Sequence, residues 1–156
     1  MMKSIPVWKQ ELSDGVHAAR LASLYCCAPA ETASEAARYA AVLDGLEKTF
    51  GSHAEAGLYS APGRTEIGGN HTDHQHGHVL CGSVDLDMLA CAAPNGKEVI
   101  RIHSQGYPTL EVELSSLLPR ERERNTSAAL VRGVAAKAAE LGYPLSGFDA
   151  YVTSNV

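Results

Sequence analysis

The chain has 156 residues, 45% hydrophobic and 20% charged, which is enough apolar surface for one folded domain and excludes a disordered chain. A net charge of -5 with scattered basic residues excludes the electrostatic footprint of a nucleic-acid or anionic-membrane binder. No stretch approaches the roughly 18 apolar residues of a membrane span, and the N-terminus lacks a signal-peptide pattern, so we expect a cytoplasmic protein.

The first third of the chain predicts two helices and one strand. A weak apolar stripe predicts a short helix over 14–26. A longer helix is predicted over 33–50, because Thr32 followed by Glu35 is a capping-box pattern and apolar residues then recur at helical spacing. The stretch AGLYSAPGR (56–64) predicts a strand that ends at its Pro-Gly pair, since proline lacks an amide donor.

Strand patterns dominate the middle of the chain. SVDLDMLACAAPNGKEVIRI (83–102) predicts a β-hairpin with its turn at Asn95 and Gly96. In its first strand the apolar positions alternate with aspartates: Val84, Leu86 and Met88 against Asp85 and Asp87. TLEVEL (109–114) alternates apolar and polar residues and predicts a further strand with one wet face.

The last third of the chain predicts a helix followed by a strand. The segment 126–141 opens with candidate caps, ends before Gly142, and carries one apolar face of Leu130, Val131, Val134, Ala138 and Leu141. FDAYVTSNV (148–156) alternates like a strand. Intermixed helices and strands with no visible linker predict one α+β domain over 1–156, with a helical lead-in over 1–52 and a sheet over 56–156.

The stretch GGNHTDHQHGH (68–78) holds four of the seven histidines together with an aspartate, an asparagine and three glycines. It permits three interpretations. A metal site has donors in His71, Asp73, His74, His76 and His78, but ligands one residue apart in a single loop do not match the usual zinc spacings. A polar surface loop with incidental histidines is the second interpretation.

The third interpretation is a site for the hydroxyl groups of a sugar. Asp73 can accept hydrogen bonds from two vicinal hydroxyls, while His71 and Asn70 can each donate or accept, and the glycines let the loop fold tightly around them. Arg64, just before this loop, suits a buried ionic role beside a carboxylate or a developing phosphoryl charge. The alternative for Arg64 is a surface ion pair of little energetic consequence.

The segment APGRTEIGGNHTDHQHGHVL (61–80) resembles the N-terminal signature of galactokinases, in the GHMP small-molecule kinase superfamily. The usual form of that signature is GR-x-N-[aliphatic]-IGEHTDY, followed by a glycine and an aliphatic pair. The matching positions are Arg64, Gly69, His71, Thr72, Asp73, Gly77, Val79 and Leu80. The sequence departs from the signature at Asn70, where the family has glutamate, at His74 for tyrosine, and at Glu66 for asparagine. Since an amide replaces a carboxylate at Asn70, both galactose and a close hexose variant remain open as the substrate.

The resemblance implies a fold and a set of roles. The fold would be α+β, like the N-terminal domain of GHMP kinases (ribosomal protein S5 domain 2-like), with a mixed or antiparallel sheet and helices, incomplete at the C-terminus. Arg64 would assist the catalytic aspartate, His71 and Asp73 would bind sugar hydroxyls, and Asn70 would be a further sugar contact. The activity implied is ATP-dependent conversion of galactose to galactose 1-phosphate.

The family's phosphate loop, similar to GLSSSA, and its catalytic aspartate are not found in these 156 residues. We therefore expect an N-terminal portion of a sugar kinase, inactive alone, whose ATP and Mg²⁺ belong to the full-length enzyme and which holds no tightly bound cofactor itself. Self-association through uncovered core surface is also expected. The alternatives are a catalytically inactive sugar-binding or sensor module and a histidine-rich metal-binding protein.

Overall fold

The computed structural model describes residues 1–69 and 72–156, and of Asp73 only the backbone. This part of the chain folds into four α-helices and five β-strands. In chain order these are α1 (Ile5–Ser13), α2 (Ala18–Tyr25), α3 (Ala33–Phe50), β1 (Gly57–Gly68), β2 (Leu80–Pro94), β3 (Val99–Ser104), β4 (Leu110–Glu113), α4 (Ser127–Glu140) and β5 (Phe148–Ser154). The predicted α+β class is confirmed.

The five strands form one mixed sheet in the order β1-β2-β5-β3-β4. All neighbouring pairs are antiparallel except β3 and β5, which run parallel. β5 therefore lies between β2 and β3, and the predicted hairpin of those two strands is wrong. Asn95 and Gly96 do turn the chain, but the connection passes the start of β5, where the Asn95 amide N–H donates to the carbonyl of Gly147 at 3.3 Å.

β1 extends further than its sequence predicts. The strand continues through Pro62 and Gly63 to Gly68, with an irregular register between Pro62 and Arg64. β1 is the edge strand of the sheet, so one side of its backbone has no strand to bond, and a proline there removes no ladder hydrogen bond. The predicted strand end at the Pro-Gly pair is therefore wrong.

Three helices pack on one face of the sheet. α3 has the predicted bounds, and its buried Val42, Leu43 and Leu46 pack in one cluster with Leu89 and Cys91 of β2. The helix predicted over 14–26 is α2, and α1 lies outside the prediction. Proline is tolerated in the first turn of α1 because those amides have no partner within the helix.

The capping box predicted at the start of α3 does not form. The Thr32 hydroxyl donates to the carbonyl of Pro29 at 2.9 Å, and Glu35 accepts from Arg38 at 2.6 Å. The helix nevertheless begins directly after Thr32. Its position is thus determined by the apolar stripe that packs on the sheet, and the predicted capping contact contributes nothing.

α4 packs on the opposite face of the sheet, over β3 and β4. Ala135 lies in a cluster with Ile100 and Val112, and Thr126 caps the helix by accepting from the Ala129 amide. The predicted bounds are confirmed, but the predicted buried face is wrong for three of its residues: Leu130, Val134 and Leu141 are exposed.

β2 shows a similar inversion. The buried positions of this strand include Asp87, Leu89, Cys91 and Ala93, whereas Leu86 and Met88 of the predicted apolar face are about half exposed. β4 exposes both of its glutamates and buries Val112, which confirms its predicted wet face. None of the described helices is sufficiently long and apolar to traverse a lipid bilayer.

Candidate functional site

The segment that resembles the signature lies on a two-stranded ribbon formed by the far ends of β1 and β2. β5 pairs with β2 only as far as Met88, which lies opposite Ser154. Beyond that point the pairing continues between β1 and β2 alone, from Arg64 opposite Ser83 to Gly68 opposite Leu80. We call residues 64–68 and 80–83 the ribbon. It extends past the end of β5, and the loop 69–79, of which residues 69 and 72–79 are described, connects its two strands.

The described part of this loop closes on itself through Thr72. The Thr72 hydroxyl donates to the carbonyl of Gly69 at 2.8 Å, and the Thr72 carbonyl accepts from the amides of Gln75 at 2.9 Å and Gly77 at 2.8 Å. These bonds turn the chain back toward the start of β2.

Two glycines permit this closure. A Cβ on Gly77 would lie 2.0 Å from the Thr72 Oγ1, and a Cβ on Gly69 would lie 2.4 Å from the carbonyl oxygen of His78. Gly69 also has a φ of 106°, which disfavours other residues. Gly69 and Gly77 therefore let the described part of the loop close tightly, while its predicted folding around Asn70, His71 and Asp73 stays a prediction. A Cβ on Gly68 meets nothing within 4 Å, so its backbone does not need the absence of a side chain.

The structure places the four predicted site residues unequally. Arg64 lies on the ribbon, and Asp73 begins a 3-10 turn that spans Asp73–Gln75. Asn70 and His71 lie outside the described residues, as does the side chain of Asp73. The convergence of these groups on one ligand therefore stays a prediction.

Arg64 does not have the buried surroundings predicted for it. Its side chain is 58% exposed, and its guanidinium lies 3.5 Å from the carboxylate of Glu66 two residues further along the ribbon. Glu66 stands where the resemblance has asparagine, so a departure from the signature places a carboxylate beside this arginine. The carboxylate of Glu66 is partly buried, with its side chain 20% exposed, so only the arginine side of this pair faces solvent. Arg64 therefore remains accessible to a ligand at the base of the ribbon.

A buried aspartate lies at the base of the ribbon. Asp87 of β2 is 2% exposed and pairs across the strands with Pro62. Its Oδ2 accepts from the hydroxyls of Tyr25 and Ser60, each at 2.6 Å, and its Oδ1 accepts from the Arg38 guanidinium at 2.6 Å. The carboxylate thus joins α2, α3 and β1 to β2 where the ribbon leaves the sheet.

The surroundings of Asp87 favour its ionised form. Burial by itself acts to raise the pKa of Asp87, but hydrogen bonds from Ser60, Tyr25 and Arg38 outweigh it and hold the pKa below its ordinary value. Burial raises the pKa of Tyr25, and the hydrogen bond to Asp87 raises it further, so this tyrosine stays a donor. The base of the ribbon therefore carries a buried negative charge with three donors around it.

A second buried aspartate lies at the other end of the sheet. Asp149, near the start of β5, is 1% exposed and accepts from Arg101 Nε at 2.7 Å and from Asn95 Nδ2 at 2.8 Å. His53 Nε2 lies 3.0 Å from the same carboxylate. Burial acts to raise the pKa of Asp149, and the bonds from Arg101, Asn95 and His53 lower it below its ordinary value.

The alternation of β2 conceals the role of Asp87. In the sequence prediction Asp85 and Asp87 count as the polar side of a strand whose apolar side is Val84, Leu86 and Met88. A usable signal lies further along, because Asp87 has the same phase as Leu89, Cys91 and Ala93. Counting from the apolar half of the strand would have predicted the buried position of Asp87.

Comparison with known proteins agrees with this geometry. Residues 46–94, from the end of α3 to the end of β2, match the family described as the galactokinase galactose-binding signature. A galactokinase of Streptococcus suis is 31% identical over 111 residues, which are 69% of this chain and 28% of that protein. A galactokinase of Streptomyces coelicolor is 30% identical over 113 residues, which are 71% of this chain and 28% of that protein.

A solved structure shows the same fold. The crystal structure of Lactococcus lactis galactokinase complexed with galactose superposes with a TM-score of 0.62 at 21% identity, covering 72% of this chain and 30% of that one. Together with this fold, the sequence match to galactokinases places the chain among the GHMP small-molecule kinases. Within that superfamily the chain belongs to the galactokinase family and corresponds to the N-terminal portion of its members. It spans less than a third of the length of these relatives.

Proposed function

We propose that the ribbon and its loop form the sugar-binding part of a galactokinase-type phosphotransferase, which converts galactose to galactose 1-phosphate with ATP. The match of residues 46–94 to the galactose-binding signature carries this proposal, because that segment contains the whole ribbon and loop. Relatives of about 30% identity over most of this chain are galactokinases. The tight closure of the loop through Thr72, Gly69 and Gly77 gives the rigid support that a sugar site needs.

The roles proposed for the site residues follow from their chemistry. Asp73 accepts hydrogen bonds from two neighbouring sugar hydroxyls, and His71 and Asn70 complete the set with groups that donate and accept. Arg64, exposed at the base of the ribbon, stabilises a catalytic carboxylate as the sugar hydroxyl is deprotonated. The amide of Asn70 replaces a charged acceptor, so we propose a weaker hold on one hydroxyl than glutamate gives.

We propose no site for ATP or Mg²⁺ on the described residues, because the resemblance assigns both to the full-length enzyme. No group of three or more His, Cys, Asp or Glu side chains is arranged there to hold a metal ion. The 156 residues also contain no glycine- and serine-rich stretch of the GLSSSA kind. We therefore assign to this chain only the binding and orientation of the sugar. By this proposal the 156 residues do not catalyse phosphoryl transfer alone, and a phosphorylation assay with galactose and MgATP should release no galactose-dependent ADP.

Titration of the ¹⁵N-labelled chain with galactose tests the sugar site. We expect saturable amide shifts at Thr72, Gly77 and the ribbon, and weaker shifts with glucose, which differs at one hydroxyl. Asp73→Ala should abolish the saturation. Asp85→Ala is the matched control, since Asp85 is an exposed aspartate of β2 outside the proposed site. Equal shifts in wild type and Asp73→Ala, or none in wild type, would contradict the proposal.

We also propose that two copies of the chain associate through the outer face of α4. Leu130 and Val134 are 73% and 72% exposed and border an apolar groove of about 540 Å³. Exposed apolar surface of this kind favours association.

Sedimentation velocity over a range of concentrations tests this association. We expect a concentration-dependent dimer that the double substitution Leu130→Glu and Val134→Glu weakens by at least about tenfold, because two charges would enter the contact. Val7→Glu is the control, since Val7 is a half-exposed residue of α1 on the opposite face of the sheet. A wild-type chain that sediments as a monomer at every concentration would refute the association.

A further inference from the structure

We propose that Asp87 is a positioning residue for the sugar site: it fixes the direction in which the ribbon leaves the sheet, and so where Arg64 and the loop lie. Asp87 is 2% exposed and therefore does not contact a ligand. This inference rests on the proposed sugar-binding function for its effect on affinity. Its effect on the ribbon itself does not depend on that function.

The first argument is mechanical. From Arg64 to Gly68 the described part of β1 pairs with β2 alone. A two-stranded ribbon is marginally stable in water, so its direction is determined where it joins the sheet. That junction is the irregular register between Pro62 and Arg64, and Asp87 lies opposite Pro62. The contacts of Asp87 therefore act at the point where a small rotation moves the whole ribbon.

The second argument is the number of elements that Asp87 holds. Its carboxylate accepts from Tyr25 of α2, Arg38 of α3 and Ser60 of β1. The backbone N–H of Asp87 donates to the side-chain Oδ1 of Asn155 at 2.8 Å. The backbone carbonyl of Asp87 accepts from the backbone N–H of Asn155 at 3.2 Å. The segment after β5 is thereby joined to β2 directly beside the ribbon.

The third argument concerns the chemistry of the side chain. A carboxylate accepts on both oxygens, and here one oxygen takes two hydroxyls while the other takes a guanidinium. A side-chain amide has one accepting oxygen and one NH₂ group. In Asp87→Asn the NH₂ group would therefore face either the two hydroxyls of Tyr25 and Ser60 or the guanidinium of Arg38, all of which donate to the carboxylate. Arg38 is further fixed by Glu35, and Tyr25 by Tyr39 at 3.1 Å, so the helical layer cannot readily follow a shift of β2.

The test compares Asp87→Asn with Asp149→Asn, at a temperature where circular dichroism shows both variants folded. Asp149 is an equally buried, arginine-paired aspartate at the other end of the sheet, so it reproduces a loss of stability without touching the ribbon. Hydrogen exchange is measured at residues 64–68 and 80–83, with 127–140 of α4 as the internal reference, because the hydrogen-bond partners of the two aspartates lie in other elements. Galactose affinity is measured by the same ¹⁵N titration.

We expect Asp87→Asn to accelerate exchange in the ribbon relative to α4. We also expect it to weaken galactose binding about tenfold, because a misplacement of about 1 Å at a site can cost that factor or more. Asp149→Asn should leave both quantities within about twofold of wild type. If Asp87→Asn does not fold, Ser60→Ala and Tyr25→Phe, which each remove one donor to the carboxylate, replace it with the same expectation.

Two results of the exchange measurement would overturn the inference: ribbon exchange unchanged in Asp87→Asn, or equal changes in Asp87→Asn and Asp149→Asn. The galactose titration of the wild-type chain tests the proposed function separately. If wild type binds no galactose while Asp87→Asn still loosens the ribbon, the sugar assignment fails and the positioning role of Asp87 stands. If wild type binds galactose and Asp87→Asn binds it equally well, the positioning role fails alone.

Discussion

Asp87 and Asp149 lie in adjacent strands of one sheet, both buried and both paired with an arginine, but they hold different kinds of structure together. Asp149 lies in β5, which has a paired strand on each side. Its ion-pair partner Arg101 is on the adjacent β3, and Asn95 and His53 contact its carboxylate from the segments that follow β2 and α3. Asp87 lies where β5 ends and the sheet narrows to the ribbon. The Asp149–Arg101 pair therefore stabilises the core at one end of the sheet, whereas the Asp87–Arg38 pair orients the ribbon at the other end.

The largest expected effect separates the two aspartates by stability. Removing one partner of a buried ion pair typically costs about 3–5 kcal/mol. We expect Asp149→Ala to lower the free energy of unfolding by about 4 kcal/mol and Asp87→Ala by about 3 kcal/mol. The difference arises because Arg38 keeps Glu35 as a partner when Asp87 is lost. Urea denaturation measures both free energies of unfolding. A larger loss for Asp87→Ala than for Asp149→Ala would contradict the assignment of Asp149 to the core and of Asp87 to the ribbon.

Two glycines, Gly147 beside β5 and Gly77 in the loop, allow a second comparison of the core with the ribbon. A Cβ on Gly147, just before β5, would lie 2.0 Å from the backbone oxygen of Lys97, which cannot move aside freely. We expect Gly147→Ala to cost about 3 kcal/mol of stability. Gly77→Ala, in the loop, should cost less than about 1 kcal/mol because the contacts it breaks hold the loop and no part of the core, yet it should weaken galactose binding about tenfold.

Thermal melts and the galactose titration together check these two substitutions. Gly133→Ala provides the control, because a Cβ at this position of α4 meets nothing within 4 Å. It should raise stability by about 1 kcal/mol through helix propensity. A loop variant that loses stability but keeps its affinity for galactose would show that the tip of the ribbon is not a binding site.

The smallest expected effect is a change in pH dependence. The pKa values of Asp87 and Asp149 are both below the ordinary value of 3.8. Since each folded pKa is lowered, each carboxylate contributes its full stability above pH 3.8 and loses it as the pH falls through the folded value. We expect stability to decline below pH 4, and Asp87→Asn and Asp149→Asn each to flatten that decline. Urea midpoints between pH 2 and 6 measure it; a parallel decline in both variants would rule out these carboxylates as its cause.

The sequence predicted the bounds of the long helices more accurately than it predicted which face of a helix or strand is buried. α3 and α4 have their predicted bounds because helical periodicity over 14 or more residues is a strong local signal. The buried faces of α4 and β2 were predicted wrongly for a common reason. Each face contains a buried charged residue, Arg132 in α4 and Asp87 in β2, that its composition assigns to water.

Buried charges of this kind become acceptable only through distant partners. Arg132 is held by both oxygens of Glu123 and by the carbonyls of Glu113 and Ser116. Without these groups the burial of a guanidinium is very unfavourable. No local pattern contains them, so the sequence around Arg132 predicts an exposed position.

By itself the sequence determined the α+β class, the bounds of the two long helices, the strand character of β4 and β5, and the signature that identifies the family. Only the tertiary structure decided that β5 lies between β2 and β3, that β1 passes through Pro62 into the ribbon, and that Arg64 is exposed while Asp87 is buried. The physical reason is that periodicity and turn residues act over a few neighbours. Strand order and the burial of charge depend on hydrogen-bond partners that lie far apart in the chain.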